Sequence, residues 1–454
     1  MEQPQKKQQL SRSLKNRHIQ MIAIGGAIGT GLFLGSGNAI KTSGPAIILS
    51  YLLVGIFCFF MMRAIGELLM SDLSQHSFLD FVKRYLGDRF EFVTGWLYWF
   101  CWISVAMADL TATGIYVRFW FPNFPQWGTP LIALLALYLI NQVNVRLFGE
   151  LESWFSLIKI LAIIALIVIG VIMVVFRLKV SGNPATLQNL WDHGGFFATG
   201  GWGFLQSFQM IVFAFVGIEM VGLTAGEAED PEKNLPRAIN SLPIRIGLFY
   251  IGSMIALMSI YPWDKVSTSA SPFVQVFAAI GIPGAAGILN FVVLTAALSA
   301  TNSCLFSTSR TLHSLGRSGN APKKLAQLDN RGVPFASLNF STAVLLVVVL
   351  LNYLMPANVF QLISSISTIS FVLVWIILIW CHLKFRQETP AGSQTFRMPG
   401  YPWTDYLTLI FFGGFLVLLL ISSSTRNALL FSLLALILLY AGYGFLGAKK
   451  EIFE

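Results

Sequence analysis

Charge is what this sequence has least of: Asp, Glu, Lys and Arg make up 11% of its 454 residues, where a soluble domain carries about a quarter. That scarcity, alongside 55% hydrophobic residues, argues against a water-soluble globule and for a helical chain that crosses the lipid bilayer many times. Cysteine is scarce as well. Cys58, Cys101, Cys304 and Cys381 all fall in apolar runs without a C-x-x-C spacing, which speaks against redox chemistry or a zinc site and for small packing residues. Nor does any polar stretch reach the length of a soluble domain. Gly35–Thr42 (GSGNAIKT) has Ile40 where a phosphate loop needs its second glycine, and no strand precedes it. With no nucleotide, metalloprotease or nucleophile-elbow motif, the chain is expected not to be an enzyme. It should need no metal or cofactor, and any uphill work must draw on an ion gradient.

Twelve apolar runs of roughly membrane-spanning length are present, at about 20–40, 46–64, 92–117, 129–143, 153–176, 203–223, 241–261, 284–309, 335–355, 358–383, 403–422 and 427–447. The fourth is the weakest, with Asn141, Gln142 and Asn144 at its end. The polar N-terminus carries Lys6, Lys7, Arg12, Lys15 and Arg17, without the apolar core and cleavage site of a signal peptide. Of the 30 lysines and arginines, 23 fall on the side of the termini, six on the opposite side and one, Lys159, inside a span. Such asymmetry places both termini in the cytoplasm. The net charge of +9 then reflects topology and not nucleic-acid binding.

The unusual stretch is Gly25–Phe33, GGAIGTGLF, with four glycines in seven residues. Glycine inside a helix costs roughly 1 kcal/mol relative to alanine. In lipid a broken helix leaves N–H and C=O groups that need partners, so such breaks line cavities. A small-residue packing face is the alternative. A second break is expected near Gly217, where Phe213–Glu219 (FAFVGIE) is followed by Gly222, Gly226 and Glu227. Spans one to five and six to ten thus each open on an interrupted helix. Five being odd, the two units enter the membrane from opposite sides, as an inverted repeat does. The expected organisation is an N-terminal tail (1–19), a first repeat (20–176), an extracellular loop (177–202), a second repeat (203–383), a cytoplasmic loop (384–402), two further helices (403–447) and a C-terminal tail (448–454).

Several polar groups sit inside spans. Asp109 lies deep in the third, and Lys159 lies several residues inside the fifth, where it either faces a polar cavity or snorkels to the interface. Tyr98 and Trp102, an i, i+4 pair, can wall a pocket. Asn290 to Arg310 give the eighth span a polar flank, some of whose hydroxyls will bond carbonyls one turn back. Ser77–Gly87 reads either as a cytoplasmic surface helix or as the frayed start of the third span. The last two spans have few internal polar groups and suit lipid contact or dimer packing. At the two breaks, the N–H groups around Gly29, Thr30 and Gly31 suit a carboxylate. Unpaired carbonyls suit an ammonium. A site with both poles fits a zwitterionic α-amino acid.

The GGAIGTG of the first span, the FAFVGIE of the sixth and the internal lysine of the fifth resemble the amino acid permeases of the amino acid–polyamine–organocation superfamily. The likeness runs the length of the chain, through DPEKNLPRAINS and NFVVLTAALSATNSCLFSTSR. It implies an all-α fold with twelve transmembrane helices, a five-plus-five inverted repeat and discontinuous first and sixth helices. By similarity the substrate carboxylate meets Gly29, Thr30 and Gly31, and its amino group meets carbonyls of Ala27, Phe213 and Val216. Tyr98 and Trp102 line the pocket, Phe213 gates it, and Lys159 stands where sodium-coupled relatives hold sodium. Glu219 takes an acidic position linked to proton coupling, whereas Asp109 receives no role. The expected function is proton-coupled uptake of small neutral amino acids (alanine, serine, glycine, in either enantiomer) across a bacterial plasma membrane. An exchanger without net proton flux and a non-transporting amino acid sensor fit the same residues.

Overall fold

The computed structural model describes residues 28–73, 75, 77–142, 145–180, 182–219, 231–329, 332–389 and 396–450. Ile28 and Gly29 form a bend, and a wide π turn over Gly31–Gly35 leads into α1 (Ser36–Ser43). Gly44, at φ 60°, breaks the run, Pro45 follows, and α2 occupies Ile47–Ser71. α3 (Phe78–Leu86) is a separate amphipathic helix, with Lys83 and Arg84 exposed opposite its buried face, and not the frayed start of the following span. Ser77 and Asp80 close a capping box at its start, Phe78, Leu79, Phe81 and Val82 are buried, and Gly87 at φ 92° separates it from α4 (Asp88–Val117). Its apolar face has a protein partner, since Phe78 meets Tyr98 edge-on at 5.0 Å.

α5 (Gly128–Asn141) and α6 (Val145–Val175) lead to a short hairpin of β1 (Lys179–Val180) and β2 (Asn183–Pro184). The helix pair α7 (Gly200–Gln206) and α8 (Phe208–Phe215) ends in an unwound turn, with Val216 at ψ 135° and Gly217 at φ 99°. After α9 (Pro231–Asn240) and α10 (Leu242–Arg245), a second π turn, Ile246–Gly252, enters α11 (Ser253–Ile260). α12 (Pro272–Ile280) precedes α13 (Ala285–Arg317). The remainder is α14 (Phe335–Leu354), α15 (Val359–Glu388), α16 (Trp403–Ile421) and α17 (Ser423–Lys450).

α4 packs along α13 and α15, and these three form the centre. The most apolar windows of α4 and α15 are 78% and 83% buried, against 28% for α6 and α16 and 17% for α17. The outer helices instead expose Leu161, Val171, Ile410, Val417 and Ile437, which suits a hydrocarbon surround. Among the described residues nine helices are long and apolar enough to cross a membrane. The other expected crossings do not register by length. Gly31–Ser71 counts as one run although Gly44 divides it, α5 has 14 residues, and α7 with α8 stops at Phe215.

Candidate functional site

The π turn at Gly31–Gly35 and the end of α8 touch backbone to backbone. A Cβ on Gly31 would lie 2.6 Å from Ala214 Cα, and one on Gly35 would lie 2.5 Å from Met210 Sδ. At Gly31 only glycine lets the π turn lie against the α8 backbone, whereas at Gly35 the close atoms belong to the flexible Met210 side chain. The carbonyl of Gly29 accepts from the N–H groups of both Leu32 and Phe33, so helical bonding begins there among the described residues. In α8, Phe213 O accepts from Val216 N, and Tyr250 Oη donates to Ala214 O at 2.9 Å.

Between these ends lies a cavity of about 40 Å³. Gly29, Thr30 and Gly31 form one wall, and Phe213, Ala214 and Val216 form another. Trp102, Val105 and Asp109 come from α4, Lys159 from α6, and Ala300, Ser303 and Cys304 from α13. Thr30 Oγ1 donates to Asp109 Oδ1 at 2.5 Å, while Asp109 Oδ2 is buried without a hydrogen-bond partner among the described residues. Lys159 is 1% exposed and its Nζ donates to Ser299 Oγ at 3.2 Å. It faces the cavity and does not snorkel. One carboxylate and one amine therefore share a small buried space with two helix ends.

The other sequence candidates sit differently. Trp102 reaches the cavity, but Tyr98 lies behind it, packed edge-on against Phe78, Trp102 and Phe371. Glu219 is likewise off the wall. Its Oε2 accepts from Gly217 N–H at 3.3 Å, which satisfies a backbone donor freed by the break. Ala27, Gly222, Gly226 and Glu227 lie outside the described residues. Of the polar flank on α13, Thr295, Thr301, Thr308 and Ser309 donate to carbonyls three or four residues back, and only Ser299 and Ser303 turn to the site.

Phe213, on the wall of this cavity, also adjoins a larger vestibule of about 850 Å³. Its ring meets Phe360, which lines the vestibule, edge-on with centroids 6.1 Å apart. On the vestibule wall, Asn38 donates to Gln361 and Gln361 to Gln209, an amide chain joining α1, α15 and α8.

What the sequence reading missed is a second buried cluster. Glu67, His382 and Asp405 are fully buried and bonded to one another, with Arg386 beside them. A lone histidine in an apolar run and an aspartate at a helix start gave no sign of meeting, since His382 and Glu67 are 315 residues apart.

The chain matches the family model for amino acid permeases over residues 18–450. It is 56% identical to the amino-acid permease AapA of Bacillus subtilis over 424 residues, covering 93% of this chain and 92% of that protein. With the D-serine/D-alanine/glycine transporter of Escherichia coli K12 it shares 46% over 448 residues, 98% of this chain and 95% of the relative. The aromatic amino acid transport protein AroP of the same strain is 42% identical over 450 residues, 98% and 97% of the two chains. A multi-pass helical bundle, two helix ends meeting at a charged cavity and this whole-length similarity lead to one assignment: the chain belongs to the amino acid permease family.

Proposed function

We propose that this permease is a secondary active transporter that takes up small neutral amino acids together with a proton, by alternating access. The observation that carries the reading is the cavity between the two interrupted helices. It offers helix-start N–H groups to a carboxylate and an unwound turn to an ammonium, with Asp109 and Lys159 on the same wall. Its 40 Å³ corresponds to about three water-sized occupants, a small space that favours glycine, alanine or serine over larger amino acids. The similarity to a D-serine/D-alanine/glycine transporter supports glycine and the D-enantiomers of serine and alanine as cargo, and the reading extends to the L-enantiomers.

In this reading the chain crosses the bilayer twelve times, as two inverted five-helix units (20–176 and 203–383) and two further helices (403–447). The vestibule is bordered by the connections poorest in Lys and Arg, so it faces outside, and the cytoplasm lies at the opposite end. The molecule then holds an outward-facing arrangement, with the Phe213–Phe360 contact between vestibule and cargo. Protonated Lys159 supplies the positive charge beside the site, and Thr30 ties the charge of Asp109 to the first interrupted helix. Deprotonation toward the cytoplasm removes those restraints and releases the cargo. Tyr98 supports Trp102 from behind, and Glu219 couples its proton to the shape of the second break. Ala27 contributes a carbonyl to the ammonium.

Proteoliposomes with an empty lumen decide between symport and exchange. A pH gradient alone should drive accumulation of labelled alanine, with unlabelled glycine and D- and L-serine competing. Uptake that requires internal amino acid would establish an exchanger, and no accumulation under either condition would leave a sensor.

A further inference from the structure

At the end of the bundle away from the vestibule, the last turns of α2 meet α15, α16 and the segment 396–402. His382 presents Nδ1 to Asp405 Oδ1 at 3.0 Å and Nε2 to Glu67 Oε2 at 3.1 Å. Arg386 donates to Glu67 Oε1 at 2.8 Å, and Met398 N–H donates to Glu67 Oε2 at 2.6 Å. All three of Glu67, His382 and Asp405 are 0% exposed. A neutral imidazole has one N–H and one lone pair. Placed between two carboxylates, it can satisfy only one unless the other carries the proton. With one added proton both contacts become hydrogen bonds, and two positive groups balance two negative ones. The geometry therefore needs a bound proton.

The same region ties α2 to its neighbours at this end of the molecule. Arg63, one turn before Glu67, donates to Asn240 of α9 at 2.9 Å and to the carbonyl of Arg397, and it lies 3.8 Å over the Phe396 ring. A Cβ on Gly66 would come within 2.4 Å of Ile239 and 2.7 Å of Phe396, so both pack directly onto α2. Beyond Glu67 and Asp405, the charged and titratable groups around His382 are Arg386 on its own helix, bonded to Glu67, and Tyr401 in the connection, with Arg63 one turn before Glu67 on α2. The Tyr401 ring lies beneath Arg386 at 4.4 Å and edge-on to His382 at 6.1 Å.

We propose that Glu67, His382 and Asp405 form a proton-held lock on the cytoplasmic closure, so that cytoplasmic acid stalls the carrier with its inner side shut. The proposal rests on the sidedness and alternating access of the preceding reading. Opening inward must part α2 from α15 and expose His382 to water, where its extra proton is held less tightly. By linkage, the proton favours the closed form, and rising cytoplasmic pH through the histidine range releases it. For a carrier that brings protons in with its cargo, this acts as a brake against acid loading.

The test is exchange of labelled for unlabelled alanine in proteoliposomes of uniformly oriented full-length protein, with the outer pH fixed and the lumenal (cytoplasmic-side) pH stepped from about 7.5 to about 5.5, across the ordinary histidine range. Wild-type exchange should slow at least about five-fold as the lumen acidifies, and His382→Gln should flatten that profile. Asp405→Asn lets a neutral imidazole satisfy its remaining partner, so it should move the midpoint to lower lumenal pH and serves if His382→Gln does not fold. A flat wild-type profile, or an unchanged profile in either variant, overturns the lock. Loss of gradient-driven accumulation with the lumenal profile intact would count against proton symport and not against the lock.

Discussion

Asp109 and Lys159 are buried beside open space, whereas Glu67 and His382 are buried among partners. In the first region one carboxylate oxygen has a single bond from Thr30 and the other has none among the described residues. In the second, Glu67 accepts from His382, Arg386 and the Met398 N–H. Burying a charge with too few partners is costly, so the unbonded oxygen of Asp109 beside the cavity leaves room for a further donor. The well-matched Glu67 instead holds helices together, although Asp405 Oδ2 in the same cluster is buried without a hydrogen-bond partner among the described residues. The difference in satisfaction, more than burial itself, separates a candidate transport site from a fastening.

The widest test of this contrast is to remove a matched charge. Glu67→Ala strands His382 and Arg386 and should lower stability by about 3–5 kcal/mol, read as thermal unfolding in detergent. Asp109→Asn, which removes a poorly matched charge, should cost far less; an equal loss would erase the distinction. Next in size is Lys159→Ala, expected to reduce pH-driven alanine accumulation at least about 100-fold, since no neighbouring group replaces an intramembrane amine, while some counterflow persists. Intact gradient-driven uptake would remove Lys159 from coupling.

Two glycines sharpen the comparison within the site. Gly31→Ala forces a Cβ onto the Ala214 backbone and should destabilise the fold by about 1–3 kcal/mol through overpacking. A Cβ on Gly29 meets nothing within 4 Å, so Gly29→Ala should fold normally yet weaken alanine binding about ten-fold, or about 1.4 kcal/mol, in a competition assay. Equal thermal stability of the two variants would refute this assignment of the walls. The smallest effect is expected from Glu219→Gln, which keeps an acceptor for Gly217 N–H. Transport should shift in pH profile with little change in unfolding temperature, and an unchanged profile would make Glu219 purely structural.

Much of the bundle was legible because long apolar runs in a membrane leave few alternatives to helix, and FAFVGIE marked the break that the structure places at Val216–Gly217. Other features were ambiguous for physical reasons. Ser77–Gly87 has an amphipathic pattern that fits water or protein equally, and only Tyr98 and the α4–α15 surface supplied its partner. Tyr98 and Trp102 share a helix face, yet a one-turn displacement leaves only Trp102 on the cavity. The hydroxyls of α13 look alike in the chain, although most serve their own backbone.

Local composition determined the helical class, the membrane environment and the points where helices fail, because each follows from hydrophobicity and backbone freedom within a few residues. Tertiary structure alone decided that Thr30 reaches Asp109 across 79 residues and that His382 bridges Glu67 and Asp405. Those pairings depend on how helices are laid side by side. Helical periodicity specifies which face a residue occupies, but not which distant helix will stand opposite it.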